Sequence, residues 1–240
     1  MPRFFLEHID GDTVTIHGND GRHIRRSLRM RAGDALTVTD GKQEYDCEIL
    51  SFSDNDDVTL QVVETHPILS EPTVNVTLYQ ALPKGDKMEW IIQKAVELGV
   101  TTVVPVASAR SIVKLDAAGA AKKRERWQKI AAEAAGQSGR GIIPTVELPI
   151  SFTAAAKRMA EENTIVFYEG GGQPLAALIS PATTQVSIFI GPEGGIAPEE
   201  LSALLDGGAH AATLGKRILR CETAPIAALS IVMALSGNCD

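Results

Sequence analysis

A chain of 240 residues, 44% hydrophobic and 22% charged, holds enough apolar material for a real core and falls outside the disordered, collagen-like and low-complexity classes; it exceeds the ~100 to 200 residues of one domain, so two modest domains are expected. A net charge of -7, from 23 basic and 30 acidic residues, argues against a protein that coats nucleic acid by bulk charge. The longest apolar stretch, Ala224 to Leu235, contains Pro225 and Ser230 and is well short of the ~20 residues a bilayer span needs, so no membrane association is expected.

The opening MPRFFLEHIDGD has neither an apolar h-region nor a small-residue cleavage site, and a cytoplasmic location is expected. Cys47, Cys221 and Cys239 form no C-x-x-C, which supports neither a disulfide framework nor a cysteine-held zinc. His8, His17, His66 and His210 show no ligand spacing, and no metal is expected.

Up to about His66 the pattern has period two: TVTI (13 to 16), ALTVTD (35 to 40), a turn at Gly41, EYDCEILSF (44 to 52) and VTLQVVE (58 to 64). Short strands with tight connections predict a small β-barrel. Residues 1 to 69 hold 7 Lys+Arg against 13 Asp+Glu, yet five of those bases fall between Arg22 and Arg31. Arg22, Arg25, Arg26, Arg29 and Arg31 therefore form one basic stripe in an acidic segment, a solvated helix face or a ridge that grips phosphates. The two prolines of HPILSEP (66 to 72) end this regime, and the domains are placed at 1–70 and 71–240.

The second part alternates strand and helix. VTLYQAL (76 to 82), VVPV (103 to 106), TIVFY (164 to 168) and VSIFI (186 to 190) are short apolar runs that predict a parallel sheet with crossover helices, an α/β domain. Met88, Ile91, Ile92, Ala95 and Val96 recur at helical spacing, with Gly99 as the stop. Lys122 to Gln137 and Phe152 to Glu162 read as helices, as does the segment opened by Pro198-Glu199-Glu200. Trp90 and Trp127 fall inside helical patterns and are expected to pack. A short strand over Ala211 to Leu214 precedes the last helix, about Thr223 to Leu235, which is apolar nearly all round and must be buried by the core or by another subunit.

No P-loop, G-x-G-x-x-G, H-E-x-x-H or G-x-S-x-G occurs, which removes support for those enzyme classes. Gly191-Pro192-Glu193-Gly194-Gly195 follows a strand and precedes a helix, where open α/β sheets bind ligands; by itself it reads equally well as a tight structural turn. LGKRILRCETA (214 to 224) puts Arg220 and Glu222 just ahead of the apolar helix. Charge held near a core is costly unless paired or used, so these two are either an ion pair or working groups.

Taken together, KGDKMEWIIQKAVELGV (84 to 100), GQSGR (136 to 140), GPEGG (191 to 195) and LGKRILRCETA (214 to 224), in this order and spacing, resemble the ribosomal RNA small-subunit methyltransferase E family of the SPOUT superfamily. HIRRSLRMRAGD (23 to 34) is similar to that family's N-terminal RNA-binding segment. The resemblance spans nearly the whole chain. It implies a PUA-like β-barrel followed by a SPOUT domain with a trefoil knot, an exception to the rule that folds avoid threading. It also implies an S-adenosyl-L-methionine-dependent, homodimeric enzyme that methylates N3 of one uridine in small-subunit ribosomal RNA, free or in the assembled small ribosomal subunit.

On the resemblance, Leu82, Glu169, Ile190, Gly191, Pro192, Glu193, Gly194, Gly195, Leu214, Gly215, Ile218, Leu219, Arg220, Thr223 and Ala224 are the expected cofactor contacts. Arg220 and Glu222 are the expected catalytic pair, being suitable in type to stabilise charge on the uracil oxygens and to take the N3 proton. Expected RNA contacts are Arg3, the stripe from Arg22 to Arg31, and Lys84, Arg110 and Arg140. Two departures stand out: Ile196-Ala197 replaces an aromatic and a capping serine, worth ~1 kcal/mol, and Cys221 occupies a threonine or small-residue position. Two alternatives remain, a ribose 2'-hydroxyl methyltransferase of the same superfamily and a non-catalytic ribosome-assembly factor.

Overall fold

A computed structural model describes residues 1–239. By internal packing the chain forms two units, Met1–Glu71 with Ala135–Ile143, and Pro72–Ala134 with the chain from Pro144 onward. Residues 135–143, distant in sequence, thus group with the first unit.

The first unit is built on a five-stranded sheet ordered β1-β3-β4-β5-β2. Its strands are β1 (Arg3–Phe5), β2 (Thr13–Ile16), β3 (Ala35–Thr39), β4 (Gln43–Phe52) and β5 (Val58–Pro67). The pairs are antiparallel except β1 with β3, which run parallel. The β3–β4 connection turns at Gly41, whose φ of 78° suits a residue without Cβ, while Asp40 Oδ1 accepts the N–H groups of Lys42 and Gln43 at 2.9 Å each. Alternate strand residues, Leu36, Val38, Ile49, Val58 and Leu60, share one core with Phe4, Ile16 and Ile24.

Ile24 explains the shape of the arginine stripe. Its side chain is fully buried, and it pins a short helix, α1 (Gly18–Arg22), and the π-helical turn His23–Ser27 that follows to the sheet. The arginines around it stay exposed, but they do not form one ridge. Arg25 Nη1 lies 3.1 Å from Asp56 Oδ1 and Arg26 Nη2 2.6 Å from Asp56 Oδ2, so one buried carboxylate engages both. Arg29 has φ 56°, which takes it off the helical path. Among the described residues Arg22, Arg29 and Arg31 form no ion pair.

The second unit carries a seven-stranded sheet, ordered β12-β10-β11-β6-β7-β8 with β9 beside β7, and every pairing is parallel. These strands are β6 (Asn75–Ala81), β7 (Thr102–Ala107), β8 (Thr145–Val146), β9 (Ile150–Ser151), β10 (Thr164–Phe167), β11 (Gln185–Ile190) and β12 (His210–Ala212). Between them run α2 (Lys87–Glu97), α3 (Ala117–Ser138), α4 (Phe152–Met159) and α5 (Pro198–Asp206), and α6 (Thr223–Leu235) closes the chain. One face of the sheet packs on α4 and α5 through Tyr79, Val104, Val166 and Phe189 against Ala155, Met159 and Leu204. Helix α2 packs on α6. Among the described residues no helix is long and apolar enough to cross a membrane.

Helix α3 begins five residues earlier than its apolar pattern suggests, because Asp116 Oδ1 accepts the Gly119 N–H at 2.7 Å and caps an Ala/Gly-rich first turn. Helix α4 stops at Met159, short of Glu162, and the strand expected over Ala211 to Leu214 is instead His210–Ala212. Trp127 is buried as expected, but Trp90 is 53% exposed, with the Lys94 ammonium 5.0 Å above its ring.

Two arginines expected to touch RNA have other work. Arg140 is 4% exposed and pairs through Nη2 at 2.5 Å and Nε at 3.2 Å with Glu71, which also accepts the Gly141 N–H at 2.9 Å. Arg3 is paired with Glu44 in the same unit. An arginine with its guanidinium already satisfied and out of water has little to offer a phosphate. Removing one partner of a buried pair leaves the other charge uncompensated, so Arg140→Ala should destabilise the protein by ~3 kcal/mol. Chemical denaturation checks this, and a midpoint unchanged from wild type would show that the pair contributes nothing.

Candidate functional site

The parallel sheet fixes where a site can form. Strands β12, β10 and β11 are neighbours and run the same way, so the loops leaving their carboxyl ends converge. Residues 167–169 after β10, 190–196 after β11 and 213–221 after β12, with Ala224 of α6, line a cavity of about 500 Å³. That volume suits a medium-sized organic ligand.

Most of the expected cofactor contacts are on its wall: Glu169, Ile190, Gly191, Pro192, Glu193, Gly194, Gly195, Leu214, Gly215, Ile218, Leu219, Arg220 and Ala224. Two of the expected contacts are not, and neither is Glu222 of the expected catalytic pair. Leu82 is buried past the end of β6 with its N–H bonded to Val106 O, Thr223 gives its N–H to Arg220 O as α6 begins, and Glu222 is turned toward α2. The wall also includes Lys216, Arg217 and Cys221, which lie in the 214–224 motif but were not among the expected contacts, and Phe167, Tyr168, Ile196 and Thr213, which carry no motif signal. Phe167 and Ile196 supply apolar surface, and Lys216, Arg217 and Arg220 are exposed cations on one loop.

The GPEGG loop is shaped by close backbone packing. Gly195 has φ +72°, and a Cβ there would lie 2.8 Å from Glu169 Oε1; at Gly191 a Cβ would lie 2.9 Å from the Ile196 side chain. The positive φ at Gly195 favours glycine, and a side chain at Gly191 would push on Ile196. Arg110, expected to contact RNA, donates from Nη1 to Gly194 O at 2.8 Å and so braces the loop. Ala197 supplies no capping side chain to α5. Glu200 of that helix instead accepts the Ala109 N–H at 2.7 Å.

The alternative left open for Arg220 and Glu222 resolves in an unexpected way. Glu222 pairs with Lys87, not with Arg220: Lys87 Nζ lies 3.0 Å from Glu222 Oε2 and 3.0 Å from Glu193 Oε1. Glu193 also accepts the Lys84 N–H at 3.1 Å. The Cys221 thiol donates to Glu222 Oε2 at 3.2 Å. Partial burial works to raise the Glu193 carboxyl, but its own backbone N–H and Lys87 outweigh that and hold it below the usual range. The same opposition, with Lys87 and Cys221 on the lowering side, holds Glu222 below its usual range. Lys87 is pushed upward by its bonds to Glu193 and Glu222. Burial, then the bond to Glu222, pushes the Cys221 thiol up to about 12, so it stays protonated. Nothing local in the sequence marks Lys87, whose partners lie more than a hundred positions away.

Comparison with known proteins gives this arrangement a lineage. A family model described as an RNA methyltransferase domain matches residues 70–233, and one described as an RNA methyltransferase PUA domain matches residues 16–63. A ribosomal RNA small subunit methyltransferase E from Bacillus subtilis is 40% identical, with 97% of this chain and 96% of that protein covered. The chain belongs to the ribosomal RNA small subunit methyltransferase E family. A relative of the same name from Aquifex aeolicus is 31% identical, with 97% of this chain and 99% of that protein covered. The crystal structure of a Neisseria gonorrhoeae member, bound to S-adenosyl methionine, superposes with a TM-score of 0.89 at 34% identity and covers 98% of each chain. The family's architecture, an N-terminal PUA-type unit before an α/β domain with a parallel sheet, is the one described above.

Proposed function

We propose that this protein transfers a methyl group from S-adenosyl-L-methionine to N3 of a uridine in small-subunit ribosomal RNA. The observation that carries the reading is the cavity at the carboxyl ends of β12, β10 and β11, walled by the two loops whose motifs define the family. The residues present fit the cofactor. Phe167, Ile190, Ile196, Leu214 and Leu219 offer apolar surface, glycine backbones permit close approach, and the Glu169 carboxylate suits a cationic sulfonium. S-adenosylmethionine supplies an already activated methyl group. The knotted crossing that the resemblance implies in the second unit belongs to this proposal.

The chain's own residues then have three tasks. They hold the uracil edge in line with the methyl group, keep water out, and stabilise the charge that spreads to O2 and O4 as N3 loses its proton. Arg220, on the cavity wall and without an ion-pair partner among the described residues, is assigned to that charge. N3 is hidden in a duplex, so the target uridine is unpaired or flipped when it reacts. Arg22, Arg29 and Arg31, exposed and unpaired, are assigned to RNA phosphates, with Lys84 in the second unit; a ribosomal substrate places the enzyme in the cytoplasm.

A homodimer belongs to the same proposal. Helices α2 and α6 pack together and leave Trp90 53% and Ile231 38% exposed, apolar surface that a second copy would cover. Sedimentation at micromolar concentration should show a dimer; a fully active monomer would contradict it.

The central test is transfer from labelled cofactor to small ribosomal subunits, followed by nucleoside mass spectrometry. Expected is 3-methyluridine, with Gly195→Val abolishing both transfer and calorimetric cofactor binding in a folded protein; a 2'-O-methylated product or no product would overturn the reading. Changing Arg22, Arg29 and Arg31 to alanine should weaken RNA binding across sequences and flatten its salt dependence by about one slope unit per lost contact, whereas Arg25 and Arg26, spent on Asp56, should matter less. An unaltered slope in the triple variant would remove the stripe from the RNA interface.

A further inference from the structure

Three stretches of chain meet at one ammonium group. Lys87 opens α2, Glu193 lies in the loop after β11, and Glu222 precedes α6, yet Lys87 Nζ is 3.0 Å from a carboxylate oxygen of each. A lysine in the first turn of a helix faces the positive end of the helix dipole, an unfavourable place for a cation. Helix propensity does not explain it. Two carboxylates in contact do, and those carboxylates belong to the two loops that wall the cavity. Without a cation between them, Glu193 and Glu222 would repel each other and drive the loops apart.

We propose that Lys87 is a positioning residue, a clamp that holds the 191–195 and 214–222 loops at the separation cofactor binding requires, with Glu222 acting as the anchor of that clamp and not as the base that takes the N3 proton. This rests on the reading of the cavity as the cofactor site. Glu222 suits the anchor role because it is absent from the cavity wall and both its contacts, the Lys87 ammonium and the Cys221 thiol at 3.2 Å, keep it ionised. A carboxylate held anionic in this way is a weak proton acceptor for a uracil imide. Cys221 takes part by donating to the anchor, which gives a physical use to a residue that departs from the family pattern.

The charges around the pair are few. Glu222 faces Lys87 on α2 and Cys221 on its own loop; Glu193 faces Lys87 and the Lys84 N–H. Glu169, Lys216, Arg217 and Arg220 line the same cavity. Lys87 is the cation in contact with both carboxylates. When it is removed, burial and mutual repulsion act on Glu193 and Glu222 with only backbone N–H groups and the Cys221 thiol to oppose them, so one of them should protonate at higher pH than in the wild type.

The test compares Lys87→Met and Lys87→Arg with wild type in three measurements: calorimetric affinity for S-adenosylmethionine from pH 5 to 8, hydrogen exchange of both loops without cofactor, and turnover against KM for the cofactor. Expected for Lys87→Met is about tenfold weaker cofactor binding, equivalent to one pH unit's worth of free energy, with part of the affinity returning as pH drops toward 5, because protonating one carboxylate relieves the repulsion, while wild type stays flat. Exchange should quicken in residues 191–195 and 214–222 together, KM should rise more than turnover falls, and Lys87→Arg should restore most of the loss. Glu222→Gln removes the same link from the other side; it should reproduce the binding defect, retain measurable turnover at saturating cofactor, and show no additive loss when combined with Lys87→Met. Wild-type affinity, pH dependence and loop exchange in Lys87→Met would overturn the clamp, and complete loss of turnover in a cofactor-saturated Glu222→Gln enzyme would return Glu222 to the role of base. If wild type bound no cofactor, the proposed function would fail, and loop exchange would still judge the clamp alone.

Discussion

The second unit is organised around the contact between one ammonium and two carboxylates. A parallel sheet delivers its loops to one edge, but it does not say how far apart they stand, and the loops after β11 and β12 carry glycines that leave their backbones soft. Lys87, on a helix rigidly packed through Met88, Ile91 and Ile92, supplies a fixed point. Glu193 and Glu222 bring their loops to it. Arg110 makes a comparable attachment on the other flank of the GPEGG loop through Gly194 O. The cavity thus takes its shape from charge pairs at the ends of otherwise apolar elements, where screening by water is partial and a unit charge still counts.

Electrostatics in the first unit follow a different logic. An acidic segment carries most of its bases in one stretch, and the fold then subtracts from that stretch: Asp56 engages Arg25 and Arg26, while outside it Glu44 engages Arg3. What remains is a smaller set of cations without an ion-pair partner among the described residues, Arg22, Arg29 and Arg31. The Arg25 and Arg26 guanidiniums remain exposed, so screening by water keeps the stability that their pairs contribute small. Their larger effect is to select which arginines can meet an RNA phosphate without first breaking a partner. Arg140 is the opposite case, a buried pair with Glu71 that supports the fold.

Elements long enough to show a period were legible in the chain. Met88 to Val96 and Thr223 to Leu235 read as helices and are helices, and the runs around Leu78, Val104, Ile165 and Ile188 are the strands of the parallel sheet. Elements defined by partners were not. Strands β8 and β9 have two residues each, too few for any alternation, and β1 exists because β3 lies beside it. Trp90 looked like core because its spacing fits α2, but it stands on the face opposite Ile91 and Ile92. The cavity was legible as two loops because glycine clusters at strand ends have a local cause. Its cation was not, because Lys87 and its carboxylates are joined only by the fold.

The claim on which the rest depends is that the cavity at the carboxyl ends of β12, β10 and β11 holds the cofactor. Amide chemical-shift mapping of the whole chain during titration with S-adenosylmethionine tests it without requiring turnover or RNA. The account predicts saturable shifts concentrated in residues 167–169, 190–196 and 213–224, with smaller ones at Lys87. Shifts centred elsewhere in the chain, or none at millimolar cofactor, would contradict it.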